Sequence, residues 1–187
     1  MADIALAHAD ARRTAPLPGA VDRRIEKSAP LTRFVLRLPE ESLTAAGAAL
    51  GLDFTAPINR AVTSGDRTAL RLGPDEWLVL APATDAAIPG GLAAGLAGRL
   101  FSLVDVSHRQ TGIRLAGPHA AAMINAVCPL DLGLAAFPVG MATRTIFAKA
   151  DIVLWRTSPA SFHLEIWRSF APYVAALLHE IGREYPD

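Results

Sequence analysis

An α+β fold built from two pseudo-equivalent halves is the class this 187-residue sequence predicts, and three observations carry it. Runs that alternate at strand period are interleaved with runs at helical spacing, so neither an all-helical nor an all-β chain fits. The strands come in close groups joined by turns containing Gly, Pro or Ser, as in antiparallel meanders. One pattern also recurs. Phe34-Val35-Leu36-Arg37-Leu38-Pro39 with its helix, the hairpin around Arg60, and Gly73-Pro74-Asp75-Glu76-Trp77 correspond in order to Gly112-Ile113-Arg114-Leu115-Ala116-Gly117-Pro118 with its helix, the strand around Arg144, and Ser158-Pro159-Ala160-Ser161-Phe162. The offset of roughly 80 residues is far longer than a solenoid unit, so the pattern predicts a duplicated domain rather than a repeat array.

Residues 1–20 have little periodicity, carry Arg12 and Arg13 and end in Pro16-Leu17-Pro18-Gly19, which predicts an extended arm. The expected organisation is this arm followed by one globular domain over residues 21–187, with halves at about 21–100 and 101–187. Residues 21–27 have room for a short strand. Residues 31–38 alternate, with Phe34, Leu36 and Leu38 on one face. Pro39 then opens a helix with Glu40 and Glu41 at its positive end, Leu43, Ala46 and Leu50 on its apolar stripe, and Gly51 as its stop. Three short strands follow, over residues 58–63, 68–72 and 77–80, joined by Ser64-Gly65-Asp66 and by Gly73-Pro74-Asp75-Glu76. A weak helix over residues 92–99 is penalised by Gly95 and Gly98.

The second half opens with a strand over residues 101–107, a polar bend at His108-Arg109-Gln110 and a strand around Ile113 and Leu115. Residues 118–127 read as an amphipathic helix with Ala120, Met123, Ile124 and Val127 on one face, ended by Cys128-Pro129. Residues 143–147, 152–156 and 162–167 form the second meander. The last helix covers residues 170–184, with Ser169 as its expected N-cap, Pro172 in its first turn and an apolar stripe of Phe170, Val174, Leu177, Leu178 and Ile181.

Composition excludes several function classes. The formal net charge is zero, which argues against broad, salt-sensitive binding to nucleic acid or anionic lipid. No apolar run approaches the roughly 20 residues of a membrane helix, and the N-terminus lacks a signal-peptide core, so a cytoplasmic protein is expected. A single cysteine, Cys128, rules out an internal disulfide, a thiolate metal cluster and a CxxC redox pair.

Asp105, Ser107 and His108 supply the residue types of a serine hydrolase triad. On a strand, however, Asp105 and Ser107 share one face while His108 starts on the other, so the expected role of the first two is to bond free backbone groups at the bend. His108, Arg109 and Gln110 can line a polar ligand site; the preferred reading is a solvated or subunit-facing bend, because one loop is not a pocket. His8, His119, His163 and His179 lack metal-ligand spacing, so no metal is expected. Asp75 and Glu76 fit a tight exposed turn better than an acid/base pair. Trp77, Trp155 and Trp167 sit in strand patterns as core or interface residues. No glycine-rich dinucleotide or Walker-type loop is present.

Gly73-Pro74-Asp75-Glu76-Trp77, Val104-Asp105-Val106-Ser107-His108-Arg109, Ile113-Arg114-Leu115-Ala116-Gly117-Pro118, Cys128-Pro129-Leu130-Asp131-Leu132 and Ile166-Trp167-Arg168-Ser169-Phe170 together resemble the gamma subunit family of heterotetrameric sarcosine oxidase. The stretch from Asp105 to His119 also resembles, more distantly, the folate-binding superfamily of the glycine-cleavage T protein, which implies ferredoxin-like subdomains. The resemblance implies a subunit of a complex that oxidises sarcosine to glycine with hydrogen peroxide and passes the one-carbon unit to tetrahydrofolate. It implies flavins, NAD, tetrahydrofolate and zinc in the alpha, beta and delta partners, and a gamma chain without cofactor, metal or catalytic residue that contacts alpha. The expected contact residues are His108, Arg109, Gln110, Leu17, Trp155 and Trp167. The alternatives are a stand-alone tetrahydrofolate-binding aminomethyltransferase-like protein and a tRNA-modification module, the latter disfavoured by neutral charge.

Overall fold

The computed structural model describes residues 24–185, so the arm expected over residues 1–20 lies outside the described residues. The elements run β1 (Ile25–Lys27), β2 (Leu31–Arg37), a 3-10 turn (Glu40–Ser42), α1 (Leu43–Leu50), β3 (Ala61–Ser64), β4 (Arg67–Arg71), β5 (Glu76–Pro82), α2 (Ala87–Gly95), β6 (Ser102–Asp105), β7 (Gln110–Ala116), α3 (Ala120–Asn125), β8 (Ala142–Phe147), β9 (Ala150–Ser158), β10 (Ser161–Trp167) and α4 (Ala171–Gly182). The chain divides into two compact units: Pro30–Ser107 is one, and the segments on either side of it make up the other.

In the Pro30–Ser107 unit, the alternation of β2 and β5 places Phe34, Leu36, Trp77 and Val79 on one sheet face. There they pack with Leu43, Ala46 and Leu50 of α1 and Ile88 and Leu92 of α2. The five strands are antiparallel throughout, in the order β3-β4-β5-β2-β6. The other unit repeats the plan. Ile113, Leu115, Leu154, Phe162, Leu164 and Ile166 face Met123 and Ile124 of α3 and Val174 and Leu178 of α4. Its order is β8-β9-β10-β7-β1 when read from the meander, again antiparallel. Strand for strand the two orders are the same, so the duplicated α+β plan read from the sequence is the fold.

The phase of the duplication differs from the expected halves by one edge strand. Residues 101–107, expected to open the second half, supply β6, which pairs with β2 from Phe34↔Asp105 to Arg37↔Ser102. The strand before Pro30, expected in the first half, is β1, which pairs with β7 from Ile25↔Leu115 to Lys27↔Ile113. Alternation reveals the buried face of a strand but not its partner, so this exchange is invisible in the pattern.

Helix boundaries differ for local reasons. The helix expected over residues 92–99 is α2, which starts at Ala87 and ends at Gly95. Of the two glycines counted against it, Gly98 lies beyond its end with φ of 75°, while Gly95 is its contact with α1: a Cβ on Gly95 would stand 2.6 Å from Ala49 Cβ, and one on Gly91, a turn earlier, would stand 3.4 Å from the Ala49 carbonyl oxygen. Close approach, not propensity, decides these positions. The helix expected from Pro118 begins at Ala120, after a turn in which Gly117 takes φ of 134° and accepts the Ala120 N–H. Phe170, not Ser169, occupies the N-cap position of α4, without a side-chain cap. Gly51 ends α1 as expected, with φ of 70° and its N–H on the Gly47 carbonyl.

Arg67 ties three elements of the Pro30–Ser107 unit. From β4 its Nε and Nη2 reach both carboxylate oxygens of Asp85 at 2.7 and 3.1 Å, while its Nη1 donates to the Leu50 carbonyl at 3.0 Å. Asp85 also accepts the Ala87 N–H at the start of α2. The cation thus meets the negative end of α1 and the anion the positive end of α2. Hydrogen bonding to Arg67 holds the Asp85 carboxyl below the ordinary carboxylate range.

Two outcomes follow from this packing. Gly95→Ala should gain up to about 1 kcal/mol of helix propensity but lose more to the Ala49 clash, for a net loss of order 1 kcal/mol within the usual 1–3 for overpacking; a rise in the urea midpoint would contradict the close-approach reading. Asp85→Asn should cost about 1–3 kcal/mol at neutral pH. Because the folded carboxyl titrates below its unfolded value of about 3.9, its contribution is present above that value and is lost as pH falls through the lower folded one. The gap between native and variant midpoints should therefore close on acidification; a gap constant from pH 7 to pH 3 would contradict the ion-pair account.

Candidate functional site

The bend that joins β6 to β7 is built by the residues that precede it. Asp105 accepts the Ser107 N–H at 2.8 Å and also its hydroxyl, while Ser107 Oγ accepts the Arg33 N–H at 2.9 Å. Asp105 and Ser107 therefore bond backbone and each other, the structural use expected of them. Ser107 is buried and His108 is exposed, so the three do not converge on an attack site.

Beyond the bend, β7 meets the end of β10 with Gln110 opposite Trp167. The Arg168 N–H donates to the Arg109 carbonyl at 2.9 Å and Arg168 Nη1 donates to the His108 carbonyl at 3.2 Å. Above this joint the Arg109 guanidinium lies 5.3 Å from the centroid of the Trp167 ring, a cation–π pair. Gln110 is buried beneath it, and its Oε1 has no protein partner. Of the expected contact residues, His108, Arg109, Gln110 and Trp167 are thus brought together. Trp155 sits apart on β9, opposite His163, with its indole 5.9 Å from that imidazole and its Nε1 buried without a hydrogen bond. Leu17 lies outside the described residues.

Sequence reasoning missed a buried cluster on the face of the second sheet opposite its core. His163 Nε2 lies 2.7 Å from Glu165 Oε1, and Ser28 Oγ lies 3.3 Å from His163 Nδ1. Gly112, across from Glu165, makes room for it: a Cβ there would come within 2.7 Å of Ser28 Oγ and 2.8 Å of His163 Cε1. The residue types and order match a nucleophile, base and orienting acid, but the cluster is closed packing. The Ser28 N–H, the nucleophile's own backbone donor, is spent on the Gly112 carbonyl at 2.9 Å and is not free for an oxyanion. The signal available in the sequence was the period-two spacing of His163 and Glu165 on a strand.

Two further charges are more buried than their sequence context suggests. Glu76, read as part of an exposed turn, is buried and accepts from Arg37 at 2.7 Å, whereas its neighbour Asp75 stays exposed. Arg156 is 1% exposed, donates to the carbonyls of Leu132 and Pro159 and stacks 4.5 Å from the Phe162 ring centroid. Desolvation pushes its pKa down. It anchors the loop after α3 to the meander and is not a reactive group. Among the described residues no group of three or more His, Cys, Asp or Glu converges as metal ligands.

Comparison with known proteins places this geometry in a family. The gamma subunit of sarcosine oxidase from Arthrobacter sp is 35% identical over 121 residues, 64% of this chain and 59% of that protein. The corresponding subunit from Corynebacterium sp. (strain U-96) is 31% identical over 142 residues, 75% of this chain and 69% of that one. The matched region thus spans about three fifths of the Arthrobacter relative. Among solved structures, a chain of the heterotetrameric sarcosine oxidase from Corynebacterium sp. U-96, in complex with pyrrole 2-carboxylate, superposes with a TM-score of 0.80 at 27% identity, covering 97% of this chain and 93% of that chain. The glycine cleavage system aminomethyltransferase T from Bartonella henselae, at 16% identity and a TM-score of 0.64 over 82% of this chain and 44% of that chain, shares the fold. The model of the sarcosine oxidase, gamma subunit family matches residues 40–184, and the chain belongs to that family.

Proposed function

We propose that this chain is a non-catalytic subunit of a sarcosine-oxidising complex, and that it works by contacting the alpha subunit within an assembly that also holds beta and delta. The observation that carries the reading is the superposition on a chain of a heterotetrameric sarcosine oxidase over nearly the full length of both chains. In the proposed reaction two electrons leave sarcosine and reduce oxygen to hydrogen peroxide. The oxidised N-methyl carbon separates from glycine as formaldehyde or is captured by tetrahydrofolate. Flavins, NAD, tetrahydrofolate and zinc belong, in this proposal, to the partner subunits.

The side chains of this chain supply binding rather than chemistry. His108, Arg109 and Trp167 offer exposed contact groups with Gln110 buried beside them; Trp155, apart on β9, and Leu17, outside the described residues, are the remaining contact residues of the proposal. Residues 1–20 are proposed to act in assembly, and residues 21–187 to act as one module. A cytoplasmic location fits this role; among the described residues no helix is long and apolar enough to cross a membrane.

Calorimetry of the purified chain tests the division of labour. Titration with flavin adenine dinucleotide and with tetrahydrofolate should give no saturable heat in the micromolar range, and the chain alone should turn over no sarcosine. Micromolar binding of either cofactor would contradict the non-catalytic reading.

A further inference from the structure

We propose that residues 16–21 lie as a strap along the outer face of α4, with Val21 against Leu177 and Pro18 against Tyr173. The inference goes beyond the subunit role proposed above and does not depend on it. It identifies what covers an apolar helix face and where the chain holds its own N-terminal arm.

The face comes first. Val174, Leu178 and Ile181 of α4 are in the core, while Phe170, Tyr173 and Leu177, spaced i, i+3 and i+7, line up along its outer side. The Val174 N–H donates to the Phe170 carbonyl, so Phe170 belongs to the same spiral. Phe170 and Tyr173 are 38% and 40% exposed, Ala176 beside them is exposed and Leu177 is half-buried. Further along, the exposed positions are His179, Glu180, Arg183 and Glu184. Followed from start to end, the outer side of α4 is thus apolar for two turns and charged thereafter.

The arm joins this helix at one fixed point. Arg24, the first described residue, donates from Nη2 to the Gly182 carbonyl at 2.8 Å and from Nη1 to the Tyr185 carbonyl. Its cation sits at the negative end of the helix. Arg24 lies in a turn ahead of β1, beside the paired residues Ile25, Leu115 and Phe162, whereas α4 begins beyond Trp167 at the opposite end of the sheet. The chain before Arg24 therefore stands at the far end of α4, and folding back round that end lays it along the outer side.

Length and pattern select this segment. Pro18 stands six residues before Arg24, about 19 Å in the extended conformation that Pro16 and Pro18 favour. Tyr173 stands nine helical residues before Gly182, about 14 Å. The difference of about 5 Å, with the reach of the Arg24 side chain, takes the strap round the helix end. In that conformation, with three residues per turn, Pro18 and Val21 share one edge and Leu17 and Ala20 another. Leu17 is thus left to a partner, in keeping with its proposed role. The order of residues matches as well, since both the strap and α4 run toward Arg24. The strap is apolar to Val21 and charged at Asp22 and Arg23, as the helix is apolar to Leu177 and charged from His179. A proline ring on an aromatic side chain is also the contact by which extended proline-containing segments bind aromatic surfaces.

Disulfide trapping in the full chain tests the strap. The variant carrying Val21→Cys and Leu177→Cys should close an intrachain disulfide under mild oxidation at least about tenfold faster than one carrying Val21→Cys and Lys149→Cys, where Lys149 lies exposed in the turn between β8 and β9. The native Cys128 is buried and does not compete. Val21→Asp and Tyr173→Ser should each lower the thermal midpoint of the full chain by about 2–4 °C, and the double variant should fall by less than the sum. Equal closure rates at the two pairs, or an unchanged midpoint in Val21→Asp, would overturn the strap. Either rival occupant of the face would do so too: a second copy, seen as a 177–177 disulfide dimer of the Leu177→Cys chain, or a partner subunit, seen as loss of the 21–177 disulfide when the chain is bound in the complex.

Discussion

Two hydrogen bonds between Arg33 and the segment Val106–Ser107 close the Pro30–Ser107 unit, and much of its architecture depends on them. The Val106 N–H donates to the Arg33 carbonyl and the Arg33 N–H donates to Ser107 Oγ, whose own proton goes to Asp105. The chain enters this unit at Pro30 and leaves it at Ser107. These bonds hold entry and exit one strand spacing apart, β2 beside β6. In the other unit the strands flanking the same two points, β1 and β7, also pair. The Pro30–Ser107 unit is in effect an insertion in the chain between the paired strands β1 and β7.

From that constraint follows the position of the bend at His108-Arg109-Gln110. Asp105 turns the chain by accepting from Ser107, and β7 then runs antiparallel to β10, starting with Gln110 opposite Trp167. The polar residues that stood out in the sequence divide accordingly into two groups. Asp105 and Ser107 are used up in making the turn. Arg109 and Trp167 are what the turn presents. Asp105, Ser107 and His108 form a turn and not a triad, and the arrangement that does resemble a triad, Ser28 with His163 and Glu165, is packed against Gly112 with the Ser28 N–H occupied.

Legibility in the sequence follows the range of the interaction. Local chemistry was readable: the αL stop at Gly51, the meander turns, the apolar stripes of α1 and α4 and the period-two cores of β2, β5, β7 and β10 all stand in the residue pattern. The duplication was readable too, because its markers recur in order. What could not be read depends on partners distant in the chain. Exchange of β1 and β6 between the halves rests on pairings that alternation does not specify. Gly95 reads as a helix defect until Ala49 is seen against it. Glu76 and Arg156 read as surface charges until Arg37, and the carbonyls of Leu132 and Pro159, supply their partners. The nearness of Arg109 to Trp167 was not legible, since only the register Trp167↔Gln110 brings Arg109 over the indole.

The central claim is that the chain acts through assembly rather than through chemistry of its own. Native mass spectrometry of the four co-expressed subunits tests it most directly. The account predicts one particle that contains this chain together with alpha, beta and delta and that oxidises sarcosine. A particle of the other three subunits that is fully active, with this chain leaving only as a free monomer, would contradict it.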